Sequence, residues 1–389
     1  MTVLVYSYEI GSRTNNYLYR QVLALRQRFA VDVYAAMSVN EREYDYGAVS
    51  IPLGWPFALL RRIRRRRQRA GFSLSPNRLT VAERAFLSVR ACTKPQPQFA
   101  YAMFGWNAIE LIDLLSLAGF KDVPVVVHLA GSDITAPRAR GRGYLAALRG
   151  VFRRAHTLLC GSDFLIDVAE RLGAPREKLV RHYLGIPVPP QSRVHTGAGL
   201  HLLACSRFVD VKGVLQTVEV LALASRRCPQ IRLTMIGDGP LLPACKERAD
   251  ALGVMSSIDF IGSVRHEKVY YEMMKSSVFI QMNRVTRSGA EEAIGGTLLE
   301  AAAHGLPVIA TRTGGVREAI IDGESGVLVD ADDIDAAADA VVMLAGEPAL
   351  RTRYGDFARK HVAENHNSEK QNEIFLDLLG RRLLLPGST

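Results

Sequence analysis

The sequence predicts an α/β protein built on parallel sheets, and three observations carry that prediction. Short apolar runs rich in Val, Ile and Leu alternate with amphipathic stretches of helical period along the 389 residues. Glycine-containing loops follow several of those runs, where a strand would hand over to a helix. A break, Ile186-Pro-Val-Pro-Pro-Gln-Ser-Arg-Val-His-Thr-Gly-Ala-Gly199, separates two similar halves with the composition of an interdomain linker.

In the first half, strands are expected at Val3–Tyr6, Val31–Tyr34, Ala100–Met103, Val125–His128 and Thr157–Cys160. Helices fit Asn16–Arg28, Ala108–Leu117 and Asp163–Arg171. The second half repeats the rhythm, with strands at Leu200–Ser206, Arg232–Ile236, Ile258–Ile261, Val278–Gln281, Pro307–Ala310 and Gly326–Val329. Between them, helices fit Val214–Ser225, Leu241–Ala251, Glu267–Lys275, Thr297–His304, Val316–Asp322 and Ile334–Leu344, and the tail from Ala349 to Leu385 reads as two more.

The length suits two domains, each with its own core. Hydrophobic residues make up 48% of the chain. No apolar run approaches the roughly 18 residues of a membrane span. Met1-Thr-Val-Leu-Val-Tyr-Ser7 enters a strand at once, without the regions of a signal peptide, so a cytoplasmic location is expected. The five cysteines are scattered without a C-x-x-C pair, and buried free thiols are expected. Charge is uneven: residues 1–200 hold 28 Lys and Arg against 14 Asp and Glu, and the remainder 21 against 25. The first half is the one expected to meet an acidic surface.

The most informative segment is Glu292-Ala-Ile-Gly-Gly-Thr-Leu-Leu-Glu300, which runs on into Ala-Ala-Ala-His-Gly-Leu-Pro-Val-Ile-Ala310. Two carboxylates flank a glycine-rich turn that opens an apolar helix. Bare backbone N–H groups at such a helix start attract phosphates, and flanking carboxylates accept hydrogen bonds from sugar hydroxyls. The local chemistry points to a nucleotide-sugar site. Cys205-Ser-Arg207-Phe-Val-Asp-Val-Lys212-Gly213 follows the first strand of the second half. Arg207 and Lys212 in one strand-to-helix loop can neutralise a diphosphate. Ile236-Gly-Asp-Gly-Pro240 is a tight turn of low specificity.

In the first half, Val125-Val-Val-His128-Leu-Ala-Gly131-Ser-Asp133 is a buried strand ending in a polar loop, and its position places His128 and Asp133 toward a ligand. Gly11, after the first strand, permits close backbone approach, while Ser12 and Thr14 suit helix capping. Asp330-Ala-Asp332-Asp333 has the form of a D-x-D metal motif, but it immediately precedes a helix, where capping is expected. No other acid and histidine cluster has metal spacing, so neither metal nor cofactor is expected.

Trp55-Pro-Phe57-Ala-Leu-Leu-Arg61-Arg62-Ile-Arg64-Arg65-Arg66-Arg67-Gln-Arg69 sets apolar residues on one helical face and arginines around it. This is the pattern of an interfacial helix on an anionic membrane, each basic residue contributing about 1 kcal/mol. Membrane contact through Trp55, Phe57, Arg61, Arg62, Arg64, Arg65, Arg66 and Arg67 is expected ahead of a solvated loop. A nucleic-acid patch ranks third, since no recognised module accompanies the run.

Together these segments resemble the retaining glycosyltransferases of family 4, along nearly the whole chain and most strongly from Leu202 to Asp330. The opening Ser12-Arg-Thr-Asn-Asn-Tyr resembles the start of bacterial exopolysaccharide and colanic-acid-type members. The resemblance implies the GT-B fold, two Rossmann-like domains facing across a cleft. Residues 1–190 would form the acceptor-side domain, 191–365 the nucleotide-sugar domain, and 366–389 a helix packing back toward the first. It further implies that Arg207, Lys212, Gly11 and the backbone of Gly295, Gly296, Thr297 and Leu298 hold the diphosphate. Glu300 would bind the ribose, and the loop near Val264 the base. His128 and Glu292 would lie at the transferred sugar as catalytic groups, and Asp133 on the acceptor or sugar side. Glu292-Ala-Ile-Gly295 departs from the usual Glu-Gly-Phe-Gly, Glu291 precedes it, and the usual double glycine of the first loop is reduced to Gly11.

The expectation is a retaining, metal-independent glycosyltransferase that moves a sugar from a UDP- or GDP-sugar to a saccharide acceptor, lipid-linked, in bacterial surface polysaccharide biosynthesis. It would be cytoplasmic and peripheral at the inner face of the membrane. The alternatives are a sugar-nucleotide epimerase of the same fold and a non-catalytic membrane-associated partner of a polysaccharide assembly complex. A nicotinamide oxidoreductase is disfavoured, because no G-x-G-x-x-G follows the first strand.

Overall fold

A computed structural model describes residues 1–11, 17–50, 79–141, 143–190 and 199–383. The arginine-rich run from Trp55 to Arg69, and Ser12 and Thr14, lie outside the described residues. The chain divides into two compact units, Met1–Tyr183 with Asn372–Thr389, and Leu184–Gln371.

The first unit is a parallel sheet of strands β1 (Thr2–Ile10), β2 (Ala30–Ser38), β3 (Val49–Ser50), β4 (Phe99–Met103), β5 (Val125–Leu129), β6 (Thr157–Cys160) and β7 (Leu179–Arg181). Their order is β3-β2-β1-β4-β5-β6-β7. Every residue of β4, β5 and β6 is buried, as continuous apolar runs require when both faces of a sheet are covered.

Two helices of this unit, Val81–Cys92 and Tyr144–Arg154, are additions to those expected from periodicity. Val81–Cys92 opens on a capping box: Glu83 N–H donates to Thr80 Oγ1 at 3.2 Å, and Thr80 N–H donates to Glu83 Oε2 at 2.8 Å. Arg84 then bridges the buried Glu110 at 3.1 Å and Asp113 at 3.2 Å. Cys92 corrects the expectation of buried thiols. It sits exposed in the last turn of that helix, whereas Cys160 and Cys245 are buried.

The last helix, Ser368–Leu383, contributes Phe375 to the core of the first unit. The ring is fully buried, edge-on to Tyr101 at 5.5 Å and against His182 at 5.3 Å.

The second unit holds strands β8 (His201–Cys205), β9 (Arg232–Ile236), β10 (Ile258–Gly262), β11 (Val278–Gln281), β12 (Val308–Thr311) and β13 (Gly326–Val329), all parallel. Their order, β10-β9-β8-β11-β12-β13, is the doubly wound arrangement of a Rossmann sheet. The winding reverses between β8 and β11, and ligands of such sheets bind outside the strand ends at that reversal. Asp333 Oδ1 accepts from Ala336 N–H at 2.9 Å, so it caps the helix Ile334–Gly346 as expected. Among the described residues no helix is long and apolar enough to cross a membrane.

Truncating Phe375→Ala should destabilise the first unit by about 3–5 kcal/mol, because the cavity opens among fully buried neighbours. Hydrogen exchange should show the loss of protection in β4 and β5. Protection unchanged there would dissociate the C-terminal helix from this core.

Candidate functional site

The loops after β8 and β11 meet at the winding reversal of the second unit. Gly213 makes this possible. It sits at φ +59°, and a Cβ there would lie 1.5 Å from the Met282 carbonyl oxygen. Only glycine lets the two loops come this close. Arg284 N–H donates to the Val211 carbonyl at 3.1 Å, and its guanidinium reaches Asp210 at 3.0 Å and Asp332 at 2.6 Å. Lys212 is thereby aimed at the other loop, where its Nζ donates to Glu292 Oε2. Their side chains are 16% and 13% exposed, so the pair is largely shielded but open on one side. An ammonium with three donors can keep this bond and still bind a ligand oxygen.

The glycine turn is braced from two directions. Glu292 C=O accepts from Gly315 N–H at 3.0 Å, and Glu291 Oε2 accepts from Gly314 N–H at 3.1 Å. Glu291 is thus a brace for the loop after β12, and Glu292 is the acid that faces Lys212. From below, Thr297 Oγ1 donates to Gln281 Oε1 at 3.1 Å, and Gln281 Nε2 donates to Asn283 Oδ1 at 2.7 Å. Gly295, at φ +84°, then turns the chain into the helix Gly296–Ala303, whose start has no side-chain cap. Its first N–H groups are therefore available to an anion.

Glu300 lies on this helix and is almost fully buried, with His266 Nε2 3.4 Å from its Oε1. His266 begins the helix that follows the Val264 loop, so the contact brings Val264 and Glu300 to one edge of the unit. Arg207 is exposed in the loop after β8. That loop rests on the turn after β9, where Phe208 N–H donates to the Asp238 carbonyl at 2.9 Å and Gly237 leaves no room for a Cβ beside Ser206. Gln281 and His266 escaped the sequence reading, since neither has a motif. Their roles arise from contacts 16 and 34 residues apart.

The candidates of the first unit are placed differently. His128 corrects the expectation of a ligand-facing ring. It is fully buried in β5, with Nδ1 3.2 Å from Tyr101 Oη and Nε2 3.2 Å from the His182 carbonyl. A carbonyl only accepts, so Nε2 carries the proton, Nδ1 accepts from the tyrosine, and neither nitrogen is left for a substrate. Burial, then the neighbouring His182, hold its pKa well below the ordinary histidine range.

Asp133 corrects the sugar-side expectation in the same way. It is fully buried and accepts from Gly131 N–H at 2.8 Å, Ala130 N–H at 3.3 Å and Gly105 N–H at 3.0 Å. It staples the loop after β5 to the start of the helix Gly105–Leu117. Gly11 has a packing reason, since a Cβ at its φ of +78° would lie 1.8 Å from the Val39 carbonyl oxygen. The expected membrane-contact residues Trp55, Phe57 and Arg61–Arg67 lie outside the described residues.

Two units of Rossmann type, one with an anion-ready helix start at its winding reversal, define the GT-B class of fold. Solved structures agree over the full chain. HepE of Anabaena, in complex with UDP and glucose, superposes with a TM-score of 0.76 at 16% identity, covering 98% of this chain and all of that one. Sucrose-phosphate synthase from Thermosynechococcus elongatus gives 0.75 at 17% identity, covering 99% of each. Residues 195–361 match the family model of glycosyl transferases group 1. The GDP-mannose-dependent alpha-(1-6)-phosphatidylinositol monomannoside mannosyltransferase of Mycolicibacterium smegmatis is 32% identical over 183 residues, 46% of this chain and 48% of that protein. The lipopolysaccharide core biosynthesis glycosyltransferase LpsE of Rhizobium meliloti is 25% identical over 59% of this chain and 66% of its own length. The match thus spans about half to two thirds of these curated relatives.

Because the buried His128 stays neutral while an unfolded one protonates near pH 6.5, the unfolded state binds more protons in acid. Stability is therefore complete at neutral pH and falls as pH drops below about 6.5. His304, lowered chiefly by burial, acts in the same direction. His128→Gln should flatten the acid limb by up to about 1.4 kcal/mol per pH unit. An unchanged slope of stability between pH 7 and pH 5 would contradict the buried, neutral ring.

Proposed function

We propose that the protein is a retaining glycosyltransferase that moves a sugar from a nucleoside diphosphate sugar to a saccharide acceptor, lipid-linked, in bacterial surface polysaccharide or glycolipid biosynthesis. The observation that carries this reading is the Lys212–Glu292 pair beside the uncapped start of Gly296–Ala303 at the winding reversal. The group 1 glycosyl transferase match and the polysaccharide and glycolipid roles in the relatives' names support it.

In this reading the diphosphate lies over the N–H groups of Gly296 and Thr297, since Leu298 N–H already donates to the Gly295 carbonyl at 3.0 Å, with Arg207 and Lys212 neutralising the charge that grows as the sugar departs. No metal is assigned to that task. Glu300 accepts from the ribose hydroxyls and the Val264 edge meets the base. Glu292 orients the sugar and keeps Lys212 in place. Departure and attack proceed on one face of the sugar, which retains configuration, and the leaving phosphate takes the acceptor's proton. His128 has no substrate contact in this scheme and supports β5 from within the core. The arginine-rich run from Arg61 to Arg69 attracts the anionic inner face of the cell membrane, where a lipid-linked acceptor would reside.

Lys212→Ala and Glu300→Ala should each weaken binding of UDP or GDP about tenfold or more, the loss of one charge-assisted hydrogen bond. Calorimetry that finds both affinities unchanged in both variants removes this site assignment. Glu292→Gln should lower the transfer rate more than nucleotide affinity. Replacing four of the arginines between Arg61 and Arg69 by Ser should reduce sedimentation with anionic vesicles, and equal sedimentation would return the run to a solvated segment.

A further inference from the structure

The sheet of the first unit has its own winding reversal, between β1 and β4, and the loop after β4 lies at it. Phe104 occupies that loop with φ +70°, one of three non-glycine residues with positive φ among the described residues. A phenylalanine there is strained, and glycine would relieve the strain. Its ring lies parallel to Trp106, 4.4 Å between centroids with 10° between planes. The Arg140 guanidinium stands 3.7 Å from the Trp106 ring centroid. All three residues keep part of their surface exposed.

Arg140 is fixed from behind. Its Nε donates to the Ser132 carbonyl at 3.1 Å and its Nη2 to Ser132 Oγ at 3.0 Å. Nη1 donates to no described residue, and the side chain forms no ion pair among them. The adjacent carboxylate, Asp133, is committed to three backbone N–H groups. Partial burial lowers the Arg140 pKa, and the nearby Asp133 carboxylate offsets this only in part. A stacked, immobilised guanidinium with a spare donor is built to receive an anion. The aromatic pair beside it offers a flat apolar surface of the kind on which the C–H face of a pyranose packs.

We propose that the Phe104–Trp106–Arg140 stack is a binding subsite for a pyranose carrying an anionic group, either a uronate carboxylate or a sugar phosphate. The ring packs on the aromatic pair and the anion takes the spare donor of Arg140. Assigning this ligand as the acceptor rests on the glycosyltransferase reading, whereas the binding itself does not.

Trp55 and Trp106 are the two tryptophans, so Trp55→Phe leaves Trp106 as the sole reporter. Its fluorescence should change saturably with a glucuronic acid oligosaccharide or with glucose 1-phosphate, and the stronger of the two identifies the anion. A neutral glucose oligosaccharide of equal length should bind at least tenfold more weakly. Adding Arg140→Gln should abolish that preference, and Phe104→Gly should weaken all three ligands without lowering the melting temperature. No saturable change with either acidic ligand, or the same preference after Arg140→Gln, overturns the subsite. Calorimetry with UDP and GDP on the same protein separates the two ideas. Nucleotide binding without a saccharide response sinks the subsite alone, and a saccharide response without nucleotide binding sinks the glycosyltransferase reading.

Discussion

Gly213 has no side chain, and on that absence the candidate site of the second unit depends. The loop after β8 can press against the Met282 carbonyl only because no Cβ stands between them. That approach brings Lys212 to Glu292 across 80 residues of sequence. It also fixes the helix start at Gly296 relative to both charges, since Glu292 precedes it in the same loop. A phosphate-binding turn is common in α/β sheets. What distinguishes this one is a cation and an anion held together on its rim, where water is partly excluded and electrostatic interactions are stronger than in bulk solvent.

The two units use one topology for different ends. In the second, the winding reversal carries Lys212, Glu292 and bare helix N–H groups. In the first, it carries an aromatic stack and an arginine, braced by a buried aspartate that spends its carboxylate on backbone N–H groups. His128 shows the same economy of polar groups in the core. Both nitrogens are paired, which holds a charged-form-averse ring in an apolar strand without an orphaned donor.

Much of the fold was legible because buried parallel strands need continuous apolar runs, and this chain writes them plainly, as in Val125-Val-Val-His-Leu129. The helix Val81–Cys92 was missed although Thr80 and Glu83 spell a capping box, because Val81 and Val89 place apolar side chains on its exposed face and blur the helical period. The chemistry of the second unit was also largely legible. Arg207, Lys212, Glu292 and Glu300 fall in loops and a helix start whose type the sequence declares. Gln281 and His266 were not, because a residue that braces another has no pattern of its own.

What the sequence determined by itself is the class of architecture and the kinds of group at each strand end, since both follow from local periodicity and turn chemistry. Tertiary structure alone decided which groups face outward. His128 and Lys212 both follow or end a strand, yet one is sealed between Tyr101 and His182 and the other stands at an open rim. The physical reason is that burial depends on what packs against a residue from distant parts of the chain. Of the segment Glu292–Glu300, the sequence supplied two acids and a glycine turn. The fold gave the acids separate partners, Lys212 for one and His266 for the other.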